Sequence, residues 1–157
     1  MPLLLLILLA AWLRQPGGQK VTQVDPGPQI AYAKRLATFP VLAPTGLAPG
    51  WRPTSSGVDA PADPTRGPVT LRIGYVTSSG QFAALVETGR QPPAVVTDEV
   101  PGSVPAGTVA VGGRTWQRYR TPRGEIALVG QPAAGLTALT TGSASLDELV
   151  GLARALR

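Results

Sequence analysis

The feature that most constrains this chain is Gly112-Gly113, set between two alternating runs at residues 108–111 and 114–120. A two-residue turn with positive φ at both positions matches the twist of a β-hairpin, and glycine adopts it without steric cost. Such a turn also fixes the register. Val111 is expected opposite Arg114, Ala110 opposite Thr115 and Val109 opposite Trp116. Val109, Val111 and Trp116 then share one sheet face, assigned to the core. Arg118 and Arg120 have the same parity near the strand end, where their stems can lie on apolar surface with the charge in water.

Other segments extend this sheet. Val69, Leu71, Ile73 and Tyr75 alternate with smaller or polar residues, Ser78-Ser79-Gly80 signals a turn, and Phe82, Ala84 and Val86 alternate again. That pattern predicts a second hairpin. Thr121-Pro122-Arg123-Gly124 has proline and glycine where a β-turn favours them. It leads into a strand at 125–129, and a further strand at 136–141 is closed by Gly142.

Two helices are expected. Residues 29–38 place Ile30, Ala33, Leu36 and Ala37 on one face, with Pro28 suited to the first turn and Lys34 and Arg35 toward solvent. Residues 146–156 align Leu146, Leu149, Val150, Ala153 and Leu156. Ser145 and Glu148 have the spacing of a capping box, and Arg154 and Arg157 suit the negative end of the helix dipole. The proline- and glycine-rich stretch 40–57 predicts an ordered loop pinned by Val41, Leu42, Leu47 and Trp51. Residues 58–68 look like a looser insertion. Residues 88–107, with four prolines, predict loop with at most a short edge strand near Val95 and Val96. The resulting fold class is α+β: an antiparallel sheet of five to seven strands, a short N-terminal helix, and a C-terminal amphipathic helix packed on the sheet.

Ahead of this domain, residues 3–13 read LLLLILLAAWL, eleven apolar positions in a row. A spanning helix needs about 20, whereas a signal-peptide apolar region needs roughly 7–15. No small-x-small cleavage site follows, and Trp12 is a residue type that sits at membrane interfaces. The reading is an anchor at 1–14, shortened at its N-terminus by a start codon placed too late, then a Pro/Gly/Gln-rich linker at 15–28 and a single domain at 29–157. Arg14 and Lys20, just after the apolar run, would by themselves favour a cytoplasmic domain.

Composition removes several chemistries. The chain has no cysteine and no histidine, so thiol nucleophiles, cysteine-based metal sites and the commonest general base are excluded. Of its 14 basic residues only Lys20 and Lys34 are lysines, and they offer no serine a plausible base. The adjacent acids Asp98-Glu99, taken as strand residues, would point to opposite faces. Asp147-Glu148 are explained by capping. The expectation is therefore no catalytic residue, no metal, no cofactor and no enzyme activity. The net charge of +5 fits a solvated arginine-rich face or an anionic partner. Trp51, Arg52, Arg118, Tyr119 and Arg120 are the candidate recognition surface.

The segments FPVLAPTGLAPGWRPTS, VTLRIGYVTSSGQFAALVE, VGGRTWQRY, ALVG and TTGSASLDELVGLARAL together resemble the actinobacterial family called domain of unknown function 4245. The resemblance covers roughly residues 20–157 in order. It implies a membrane-anchored domain on the extracytoplasmic side, with no functional residues to carry over. On that basis the expected role is a non-enzymatic binding module of the cell envelope. Its partner would be another protein, an anionic lipid or a wall polymer, and not nucleic acid. The alternative is a carrier or sensor of an apolar ligand held between sheet and helix.

Overall fold

A computed structural model of the chain describes residues 21–63 and 68–157. The apolar run at 3–13, and with it the anchor, lies outside these residues. No helix among the described residues is long and apolar enough to cross a membrane.

The elements are α1 (Gly27–Leu36), β1 (Arg52–Asp59), β2 (Thr70–Val76), β3 (Phe82–Thr88), α2 (Pro92–Glu99), β4 (Val104–Val111), β5 (Arg114–Arg120), β6 (Ile126–Ala133), β7 (Leu136–Gly142) and α3 (Leu146–Arg154). The strands form one seven-stranded sheet in the order β1-β2-β3-β7-β6-β5-β4, and every pairing is antiparallel. Two meanders of consecutive hairpins, β1–β3 and β4–β7, are thus joined where β7 lies beside β3. The fold class is the expected one, at the upper end of the expected strand number.

The glycine hairpin is as anticipated. Gly112 and Gly113 have φ of 55° and 79°. Val111 pairs with Arg114, Ala110 with Thr115 and Val109 with Trp116. Trp116 is 1% exposed and sits at the centre of the larger core. Gly130 on β6 makes room for it, because a Cβ there would overlap the indole ring. Here glycine is required by close approach.

Helices cover both sheet faces. On one face α1 and α3 enclose Leu71, Ile73, Tyr75, Leu85, Trp116, Leu128 and Leu136. The capping box of α3 is present, with Ser145 Oγ accepting from the Glu148 amide and the Glu148 carboxylate accepting from the Ser145 amide. Leu149, Val150, Leu152 and Ala153 of α3 are buried. Each large one contributes roughly 1.5–3 kcal/mol. On the other face α2 packs on β6 and β7 over a smaller core of Val86, Val95, Val100, Ala127, Val129 and Leu139.

Three segments differ from the sequence reading. The stretch 88–107 was expected to be loop, yet it contains α2. Pro92 and Pro93 occupy the first helical positions, where no amide hydrogen is needed, so they start a helix here. The loop and insertion expected at 40–68 contain β1, whose RPTSSGVD sequence has no apolar alternation and whose strand form rests on backbone pairing with β2. In β3 the expected buried set was Phe82, Ala84 and Val86. The strand is central and buried on both faces: Ala83, Leu85 and Glu87 are 0% exposed, Val86 joins the smaller core, and Phe82 is 46% exposed. In α1, Ala33 is buried while Leu36, placed on the same face, is exposed.

Candidate functional site

A concavity among the described residues lies between α3 and the segment 45–51. Its construction begins at the end of the chain. The Ala43 amide donates to the Arg157 carbonyl (3.1 Å), the Arg157 amide donates to the Ala43 carbonyl (3.3 Å), and the Thr45 amide donates to the Ala155 carbonyl (2.9 Å). These bonds staple 43–45 to the residues that follow α3. At the far end of the segment, Ser78 Oγ donates to the Pro49 carbonyl. The backbone between stands away from the helix and encloses about 420 Å³.

Leu47, Ala48 and Trp51 form one wall, and Gly151 of α3 with Ala155 just beyond its end forms the other. Trp51 is half-buried and held edge-on against Tyr75, with ring centroids 5.8 Å apart at 64°. Burial, with the nearby Glu87 carboxylate, pushes the Tyr75 phenol up to about 12. The groove ends differ in charge. Asp147 and Glu148 lie at the start of the helix, and Arg154 and Arg157 at and beyond its end. Positions 147 and 154 are about 10 Å apart along the helix axis. The Glu148 carboxylate accepts from Ser79 Oγ (2.7 Å) and the Ser145 amide (2.9 Å), which hold it below the usual range and ionised. No ion pair among the described residues engages Arg154 or Arg157.

The five residues proposed as a recognition surface do not form one. Trp51 lines the groove. Arg52, next in sequence, is exposed at the start of edge strand β1 and lies outside the lining. Arg118, Tyr119 and Arg120 are on β5, five strands away from β1 in the sheet. Strand alternation divides them again: Arg118 and Arg120 share the parity of Trp116, whereas Tyr119 packs against the smaller core on the opposite face.

The acids of the Asp98-Glu99 pair have structural partners. Asp98 and Glu99 end α2 and are not strand neighbours. Glu99 receives the Arg72 guanidinium at 2.5 Å, and Asp98 receives Arg90 at 3.2 Å. Among the described residues no group of acids is placed to hold a metal.

Sequence reasoning missed Glu87. Its side chain is fully buried on the α1/α3 face, where Oε1 accepts from the Leu42 amide (2.8 Å) and Oε2 has no partner. Burial pushes its carboxyl up to about 7, against the opposing effects of the Leu42 hydrogen bond and the Lys34 charge. The available signal was parity, since Glu87 continues the series of Ala83 and Leu85. Glu87 does not line the groove.

No curated protein and no solved structure matches this chain. A family model described as "Protein of unknown function (DUF4245)" matches residues 1–156, and the chain belongs to that family.

Proposed function

We propose that the domain is a non-enzymatic binding module of the cell envelope, held on the extracytoplasmic side by its N-terminal apolar segment, and that the groove beside α3 receives an anionic envelope component. One observation carries the reading: a groove tied at both ends brings a half-exposed Trp51 together with two arginines that have no acidic partner among the described residues. Cations without internal partners are free to meet an anion from outside, and the aromatic wall supplies apolar contact. The space between sheet and α3 is filled by Leu128, Leu136, Leu149 and Leu152, all 0% exposed, which speaks against a ligand carried there.

The test places a photo-reactive residue at Ala48, in the groove, or at Thr97, exposed on α2, in the full-length chain in cells. A discrete adduct at 48 but not at 97, with the protein in the membrane fraction, is the expected result. Equal labelling at both positions, or none, overturns the groove as the recognition site. Recovery of the full chain in the soluble fraction overturns its placement in the envelope.

A further inference from the structure

Gly151 lies inside α3, where glycine costs helix stability relative to alanine. Such a glycine is normally explained by a neighbour that needs the space or by a positive φ. Neither applies: a Cβ on Gly151 would meet nothing within 4 Å, and its φ is not positive. The domain's own packing does not call for it. What the missing side chain does is keep the groove wall open, so that something in the groove can lie directly on the helix backbone.

Resting on the binding-module reading, we infer that the groove takes a single alkyl chain headed by an anion of the phosphate or carboxylate class. The head lies at Arg154 and Arg157, and the chain runs over Gly151 against Leu47 toward Trp51. Charge sets the direction, because Asp147 and the ionised Glu148 repel an anion from the Trp51 end. The lining favours a chain over a peptide. Amides inside α3 are spent within the helix, the Thr45 amide donates to Ala155 and the Trp51 amide donates to Ala48, so past its first turn the α3 wall offers a bound peptide no free amide. A slim chain needs no such partners. Each methylene it buries adds about fourfold in affinity.

The experiment follows Trp51 fluorescence of the full chain in phosphatidylcholine nanodiscs, with a Trp51→Phe background subtracted. The ligands are octyl phosphate below its micelle concentration, octyl glucoside and inorganic phosphate. Octyl phosphate should saturate and bind about tenfold tighter than octyl glucoside, as expected for a charge-assisted contact. Inorganic phosphate should bind far more weakly than either. The double substitution Arg154→Gln/Arg157→Gln should abolish the preference for octyl phosphate. Gly151→Ala should weaken both octyl ligands severalfold while raising the melting temperature, a combination that a purely structural glycine would not produce.

The inference is overturned if octyl phosphate gives no saturable signal, if its preference survives the arginine substitutions, or if Gly151→Ala leaves affinity unchanged. Inorganic phosphate binding as tightly as octyl phosphate would show a bare anion site and overturn the alkyl assignment. Should any of these occur while the adduct at position 48 persists, the binding module stands with a different occupant.

Discussion

The two faces of the sheet are built on different scales. Among the described residues, the core on the α1 and α3 face has twenty buried apolar residues, whereas that on the α2 face has six. α3 has a reciprocal cap and four buried side chains; α2 has no side-chain cap and buries only Val95. Val96 adds a partly buried apolar contact, and the rest of α2's attachment is ionic: Arg72 with Glu99 and Arg90 with Asp98, all but Glu99 substantially exposed. The exposed Arg90–Asp98 pair contributes about 0–1 kcal/mol, and the bidentate Arg72–Glu99 pair is the stronger of the two. Stability is thus concentrated on one face, and local opening is expected to start at the α2 face.

The strongest way to break that contrast is Trp116→Ala. It empties the centre of the larger core and should cost about 3–5 kcal/mol in urea unfolding. A loss no greater than that of a substitution under α2 would remove the distinction between the faces. Next comes Glu87→Gln. The folded carboxyl titrates near 7, above its ordinary value of 4.5, so the folded state holds its proton more tightly than the unfolded chain does. The contribution of Glu87 to stability is therefore largest at acid pH, falls as pH rises from about 4.5 to about 7, and then levels. The span is on the order of 3 kcal/mol, and Glu87→Gln should remove it. A wild-type stability curve that is flat or rising across this window would contradict the buried, half-satisfied carboxyl.

Val95→Ala sharpens the comparison from the other side. It should cost about 1–2 kcal/mol and speed amide exchange in α2 while leaving α3 protected. Exchange that accelerates equally in both helices would mean that the two faces open as one unit. The smallest effect belongs to Ser145→Ala, which removes half of the capping box and should cost about 1 kcal/mol, seen as fraying confined to the first turn of α3.

What the amino-acid sequence revealed follows the range of the forces involved. The register around Gly112-Gly113 and the Ser145–Glu148 cap were legible because each depends on residues within a turn of one another. β1 was not, because its strand form comes from pairing with β2 and not from its own side chains. α2 was hidden by an ambiguity: Pro92 and Pro93 can stop a helix or start one, and only tertiary packing of Val95 decides. The groove was the least visible part. It exists because residues 43–45 pair with 155–157, a separation of 110 residues between Thr45 and Ala155, and neighbouring residues carry no trace of that pairing. Trp51 was identified as a candidate and lines the groove, but its expected grouping with Arg118, Tyr119 and Arg120 does not hold, since shared residue types say nothing about place in the sheet.

The seam between β3 and β7 has a consequence for how the protein is made. β3 is buried on both faces, and its free side meets its partner only after the whole second meander has been synthesised. Until Leu136–Gly142 leaves the ribosome, the emerging first meander presents a raw, sticky margin suited to joining any extended chain nearby. Translation pausing before that strand would therefore be the moment at which nascent copies stick to one another.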